Sequence, residues 1–461
     1  MENKDLEKSS FRDPSGFLFY RDKILFRQIN QSYEDNYELM MSSGLYNKLV
    51  ESNMMISHKE VGVSPFNQEK NYKVIQPELI PFISYPYEWC FSQLKDAALL
   101  TLEIQKKALD FNMSLKDCSA YNIQFKHGKP IFIDTLSFEK YDEGKPWKPY
   151  RQFCQHFLAP LSLMSYKDFR LNQLLRIYID GIPLDLTAKL LPLKTLVSFS
   201  LVSHIHAHAK TQKHYKKKKV NLLKIKVSRK SLLGLIETLY SGIKKLNLGK
   251  IETEWGDYYS QTNYSEKSFQ QKKEIISNMI DEIKPSIVWD LGANTGIFSR
   301  ISSNKGINTI SFDIDAIAVE KNYQEVVKNN ERKILPLQID LTNPSSDMGW
   351  HNNERSSLIK RGPSSLVLAL ALIHHLAISN NLPFYRIVEF FYDVSNYLII
   401  EFVPKTDSQV QRLLATREDI FDEYSKENFE LNFKKYFKLL KSVKLENSER
   451  FLYLFQKIID K

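Results

Sequence analysis

The sequence predicts an α/β protein in two parts: a C-terminal domain on a twisted parallel sheet and an α+β N-terminal domain. Three observations carry this. From Pro285 onward, short apolar runs alternate with amphipathic stretches, the rhythm of strands and crossover helices. The first run, Ile287–Asp290, passes through Leu291 into a glycine turn, Gly292-Ala-Asn-Thr-Gly296. Three successive runs also end in an acid: Asp290, Asp313 and Asp340. A ligand of such a sheet belongs outside the carboxyl ends of the first two strands, where the strand order reverses.

Each element follows from its pattern. Residues 287–290, 308–313, 334–340, 365–372 and 397–402 read as five strands, and 451–457 as a late one. Helices are expected over 298–304, 316–329, 383–394, 409–424 and 428–440, with an amphipathic helix over 265–283 leading in. In the N-terminal half, residues 1–10 read as disordered. The aromatic runs from Phe11 to Ile29 read as hairpin strands around the turn Asp13-Pro14-Ser15-Gly16. A helix is expected over 32–52, a loop marked by Pro77, Pro81 and Pro86, and a long helix from Trp89 to Phe111. Residues 121–135 alternate as a hairpin turning at His127-Gly128-Lys129, and 150–250 read as mostly helical. The domains implied are 1–203, a basic segment 204–254, and 255–461.

With 461 residues, 43% hydrophobic and 26% charged, the chain is long enough for two or three packed domains. No apolar run approaches the roughly 18–20 residues that span a bilayer. The polar start, Met1 to Lys8, does not read as a secretory leader. Cys90, Cys118 and Cys154 are widely spaced, which argues for a reducing, cytoplasmic setting and against a disulfide framework or zinc knuckle.

The net charge of +10 is concentrated between His204 and Lys250, where thirteen Lys and Arg face a single acid, Glu237. A nucleic acid or anionic surface is one partner for such a patch. Only Tyr215 interleaves the run around Lys216–Lys219, so a solvated linker or helix face between domains is the favoured reading. His204, His206, His208 and His214 have no acid or cysteine to complete a ligand set, and no metal centre is expected.

Gly292 allows a sharp turn after the first strand, and Gly296 a close approach of helix, sheet and ligand. Asn294 stands where dinucleotide folds want a second glycine, which leaves less room for a pyrophosphate. Asp290 can face an ammonium through water, and Asp313 can accept from both hydroxyls of a ribose, with Asp315 a lesser substitute. Asp340 can accept from an adenine amino group, with Leu341 beside the ring. This ledge suits a cationic nucleoside, although NAD sites also use an acid after the second strand. Beyond the fourth strand, His375, and less so His374, could take a proton from an attacking hydroxyl or amine. Glu401, closing the fifth strand, is a second candidate base or substrate anchor, or else the partner of Arg412 or Arg417.

The segments Asp290-Leu-Gly-Ala-Asn-Thr-Gly296, Phe312-Asp-Ile-Asp315, Asp340-Leu-Thr-Asn-Pro-Ser345, Gly349-Trp350, Glu354-Arg355 and Leu368 to His375 resemble class I methyltransferases. In detail they are similar to the nodulation-protein NoeA-like branch, across about residues 255–461. The resemblance implies a Rossmann-like fold, S-adenosyl-L-methionine as cofactor, and contacts at Asp290, Gly292, Asn294, Gly296, Asp313, Asp340 and Leu341. The acceptor expected is a small molecule or glycan, with a nucleic acid the less favoured alternative. Trp350, Glu354 and Arg355 are expected to form a loop over the site. Asn343-Pro344 is similar to the Asn-Pro-Pro-Tyr motif of amine methylases, but it follows the third strand and continues as Ser345-Ser346.

In the N-terminal half, Asp117, Asn122 and Asp134 resemble the catalytic region of kinase-like phosphotransferases, in which an acid orients the hydroxyl and an Asn and a second acid hold magnesium. Leu115-Lys116 stand where that family has its His, and no glycine-rich nucleotide loop precedes them. A docking scaffold of this type, or a phosphotransferase joined to a cofactor-binding module, is the alternative reading.

Overall fold

The computed structural model describes residues 6–208, 226–249, 266–415 and 417–459. The chain divides into two units: Met1–Ile251 with Met348–Arg355, and Glu252–Asp347 with Ser356–Lys461. His214, the Lys216–Lys219 run and the Trp255–Tyr259 stretch lie outside the described residues.

In the first unit, strands β1 (Gly16–Arg21), β2 (Ile24–Asn30), β3 (His58–Glu60) and β4 (Asn71–Pro77) form an antiparallel sheet in the order β1-β2-β4-β3. The hairpin turns at Asp22 and Lys23, both at positive φ, and not at Pro14-Ser15. Leu6 bridges Phe19 and Glu7 N–H bonds Leu18, so residues 6–10 are tied to the sheet and not loose. The expected 32–52 helix is two, Glu34–Ser42 and Leu45–Glu51, divided at Gly44 with φ +85°. The Phe91–Asp110 helix buries Leu94, Ala97, Leu102, Ile104 and Ala108, one stripe at helical spacing. Two small antiparallel pairs follow: β5 (Met113–Leu115) with β8 (Phe138–Lys140), and β6 (Ile123–Lys126) with β7 (Lys129–Phe132). Within the basic segment the described residues include an amphipathic helix. The Arg229–Lys245 helix buries Leu232, Ile236, Leu239 and Ile243, and only its outer face carries the lysines.

The second unit is one seven-stranded sheet: β9 (Ile287–Leu291), β10 (Asn308–Asp313), β11 (Ile334–Gln338), β12 (Ser364–Ala369), β13 (Ser395–Phe402), β14 (Phe437–Lys444) and β15 (Phe451–Lys457). The order is β11-β10-β9-β12-β13-β15-β14. The first five strands are parallel, and β15 runs antiparallel to both neighbours. Counted within the unit this is 3-2-1-4-5-7-6, a mostly parallel α/β sheet whose order reverses about its first strand, in keeping with the Rossmann-like fold that the resemblance implies. Strand alternation sorts the faces. Ser311, Asp290, Leu368, Ile399 and Leu454 are cross-strand neighbours in one row. Their face takes Ile276, Met279 and Ile280 of the Glu266–Ile283 helix. On the opposite face Tyr453 and Phe455 meet Phe429 and Phe433 of the Lys426–Phe433 helix, with ring centroids 5.1 and 5.5 Å apart.

Two expected elements are corrected here. The 428–440 helix ends at Phe433, and Phe437–Lys444 is instead the edge strand β14. Pairing with the aromatic β15 overrides a local pattern compatible with either state. The 409–424 helix stops at Leu414, and downstream Tyr424 is buried with its hydroxyl donating to the Val403 carbonyl at 2.6 Å.

Candidate active site

The parallel strands β9, β10 and β11 end at one cavity of about 380 Å³. Asp290, Gly292, Asn294, Asp313, Asp340, Leu341 and His375 all line it. Apolar side chains complete the wall, among them Phe298, Ile339, Leu370, Leu372 and Leu413. The cavity lies where chain order reverses about β9, the crevice expected for this topology.

Gly292 sits at φ +77° and Asn294 at φ +51°, so the chain reverses within three residues of the strand. This turn aims the Asn294 N–H at Asp313 Oδ2, 2.7 Å away. Asp313 Oδ1 accepts from Asp315 N–H at 2.8 Å, so backbone donors hold both oxygens of the carboxylate. Burial nonetheless pushes its pKa up to about 6. Asp290 is deeper, 1% exposed, and accepts from Ser299 Oγ at 2.6 Å. Burial raises it to about 7, the neighbouring Asp313 adding to the shift. Asp340 is more open and accepts from the N–H and hydroxyl of Thr342 at 2.8 and 2.6 Å.

The cavity separates the candidates. Asp315 is no substitute for Asp313: its carboxylate caps the Ala316–Lys328 helix, accepting from Ile317 and Ala318 N–H. Gly296 does not line the cavity. Its φ is +78°, and a Cβ there would stand 2.6 Å from Asn322 Nδ2 and 2.8 Å from Arg300 Nη1. Its missing side chain serves close packing in the turn. Gly296→Ala is therefore expected to cost about 1–3 kcal/mol of stability, read from urea unfolding, by combining a strained φ with overpacking.

His374 is also corrected. It is 2% exposed and lies outside the cavity lining, and burial holds its pKa well below the usual histidine value. His375 opens a π-helical turn, His375–Ser379, and reaches the cavity. Burial lowers its pKa to about 4, so at neutral pH it is an uncharged acceptor of weak basicity. Glu401 is neither a free base nor the partner of Arg412 or Arg417. It is fully buried, 2.7 Å from Lys272 Nζ and 3.7 Å from Arg450 Nη1. Arg417 donates instead to the Ile378 carbonyl.

The expected covering loop is elsewhere. Met348–Arg355 belongs to the first unit, where Arg12 grips Glu354 through two bonds of 2.6 and 3.0 Å. Arg355 lies 3.8 Å from the centroid of the Tyr121 ring, and Trp350 is 73% exposed. None of Trp350, Glu354 and Arg355 lines the cavity.

Also in the first unit, Asp117, Asn122 and Asp134 do converge. Asn122 Nδ2 donates to Ser137 Oγ at 3.1 Å, and that hydroxyl donates to Asp134. Asp117 is raised by burial, with the Asp134 charge adding and the Asn122 amide opposing. The cation against Asp134 is a guanidinium, Arg27 Nη1 at 2.5 Å, which keeps Asp134 ionised. Two histidines of the basic segment are tied as well: His204 bonds Tyr150 and Thr238, and His206 bonds Thr195.

The sequence pattern missed Lys272, which lines the cavity from the helix before β9. Its signal was visible: a lysine within the apolar stripe Phe269, Ile276, Met279, Ile280, Ile283. A charge on a buried helical face calls for a partner.

No protein-family profile matches the chain. It is 34% identical to Nodulation protein NoeA of Rhizobium meliloti (strain 1021), over 97% of this chain and 95% of that one. Among solved structures it is similar to a SAM-dependent methyltransferase from Aquifex aeolicus, at 14% identity over 40% of this chain and 89% of that chain, TM-score 0.28. The magnesium protoporphyrin IX methyltransferase of Synechocystis PCC 6803 gives 15% identity over 43% and 89%, TM-score 0.29. The bifunctional kinase-methyltransferase WbdD gives 17% over 41% and 39%, TM-score 0.28.

Proposed function

The chain belongs to the nodulation protein NoeA family, and from that premise we propose that its C-terminal unit is an S-adenosyl-L-methionine-dependent methyltransferase. The acceptor class proposed is a small molecule or glycan. One observation carries the reading: acids from three neighbouring parallel strands, Asp290, Asp313 and Asp340, meet in a single largely apolar cavity. Their order matches the cofactor's parts, Asp290 for the ammonium, Asp313 for the ribose hydroxyls, and Asp340 with Leu341 for the adenine. Asn294 narrows the turn that a dinucleotide would need open for its pyrophosphate.

Bound there, S-adenosylmethionine supplies an electrophilic methyl group on sulfur. The protein's own part is to align the acceptor with that methyl, and alignment alone removes much of the barrier. Ser379, Asn380 and Leu413 line the cavity beside His375 and form the acceptor side of this reading. His375, uncharged, orients an acceptor hydroxyl or amine by accepting its hydrogen bond. With a pKa of about 4 it is too weak to hold the proton strongly, which favours an acceptor that is itself a good nucleophile.

Calorimetry with S-adenosylmethionine, S-adenosylhomocysteine, NAD and magnesium-ATP tests the cofactor. Binding of the first two with none of NAD is expected, and NAD binding alone refutes the reading. Incubation with isotopically labelled methyl donor and a metabolite extract then reveals the acceptor.

The raised acids give a pH signature. In the ligand-free site Asp290 and Asp313 hold protons up to about pH 7 and 6. Their folded-state pKa values exceed the unfolded ones, so they favour folding below the ordinary aspartate pKa and lose that contribution as pH rises to about 7. An ammonium ligand wants Asp290 ionised. S-adenosylhomocysteine affinity is therefore expected to rise from pH 6 to 8, and Asp290→Asn to flatten that rise.

A further inference from the structure

One residue of the cavity wall belongs to a buried ion pair. Lys272, on the Glu266–Ile283 helix, is 1% exposed and lines the same cavity as Asp290. Its Nζ lies 4.6 Å from the Phe298 ring centroid, and Phe298 is cavity wall too. Among the described lining residues Lys272 is the one Lys or Arg.

Behind the lysine, Glu401 Oε2 accepts from Lys272 Nζ at 2.7 Å and from Ala371 N–H at 2.8 Å. Ala371 also lines the cavity, held at φ +49°. Arg450, 1% exposed, braces Glu401 and binds Asp407 with bonds of 2.7 and 3.0 Å. Lys272, Glu401, Arg450 and Asp407 balance one another, so this network fixes the ammonium at the wall without adding net charge. An ammonium carries three donors and can hold Glu401 and a ligand carboxylate together. A buried ion pair is weak evidence of stabilisation by itself, since apolar residues of like volume often serve as well. Placement of this one on a cavity wall, beside an acid, gives it a use that apolar residues could not supply.

We propose that Lys272 and Asp290 clamp the amino-acid end of the cofactor, Lys272 taking its carboxylate and Asp290 its ammonium, with Glu401 and Arg450 positioning the lysine. This rests on the methyltransferase reading and adds the recognition of an α-amino-acid ammonium–carboxylate pair, which neither NAD nor ATP possesses.

The test compares S-adenosylhomocysteine with 5′-methylthioadenosine, which keeps the nucleoside and sulfur but lacks the amino-acid end. Lys272→Met is expected to weaken S-adenosylhomocysteine by at least about tenfold and methylthioadenosine by less than about twofold, with Lys272→Arg recovering part of the loss. Lys272→Met leaves Glu401 buried without its lysine, so the double variant Lys272→Met/Glu401→Gln is measured as well. The same split between ligands in the double variant supports the clamp. Equal weakening of both ligands there, or undiminished S-adenosylhomocysteine binding, overturns it. Wild-type protein that binds neither ligand would instead defeat the methyltransferase reading itself.

Discussion

Asp313→Ala is expected to weaken S-adenosylhomocysteine binding by about a hundredfold or more, since two hydrogen bonds to a charged group are worth roughly 1.5–3 kcal/mol each. The carboxylate ends β10 at the cavity and is held by Asn294 and Asp315 N–H, so its position does not depend on the ligand. Isothermal calorimetry at pH 8, where the acid is ionised, gives the comparison. Asp315→Ala is the control. It removes the cap of the Ala316–Lys328 helix and should cost about 0.5–2 kcal/mol of stability while leaving affinity much closer to wild type. If Asp313→Ala binds within about threefold of wild type, the ribose is held elsewhere and the cofactor pose proposed here is wrong.

The largest stability effect is expected at Glu401. Glu401→Ala leaves two cations, Lys272 and Arg450, buried around an empty carboxylate position and strips the acceptor from Ala371 N–H. Breaking a buried ion pair from one side costs about 3–5 kcal/mol, a large share of a typical domain's stability. Urea unfolding should show the stability fall by that amount, and the midpoint by that free energy divided by the m-value. Glu401→Gln keeps an acceptor for Ala371 and should lose less. A midpoint unmoved in both variants would mean the network carries no structural weight.

The parallel half of the sheet was legible in the sequence because both its patterns are local. A strand buried on both faces is a continuous apolar run, as in Val288-Trp289 and Leu366 to Leu370. The turn after β9 needs positive φ, which Gly292 and Asn294 announce. Asp290, Asp313 and Asp340 were readable because each closes an apolar run at the carboxyl end of the sheet, whereas Glu401, also at a strand end, pairs with Lys272 and Arg450 instead of lining the cavity. β14 was not readable, because Phe437–Lys444 becomes a strand only through its partner β15.

By itself, then, the chain determined its α/β alternation, the reversing turn at Gly292, and the three carboxylates that line the cavity. Only the tertiary structure decided which of the remaining candidates face the cavity. It sent Glu401 to Lys272 and Arg450, Asp315 to a helix cap, His374 behind the wall, and Glu354 to Arg12 in the other unit. The reason is physical. A buried charge takes the partner that is nearest in space, and that partner stands 129 residues away for Glu401 and 342 for Glu354. No window of local sequence contains such a distance.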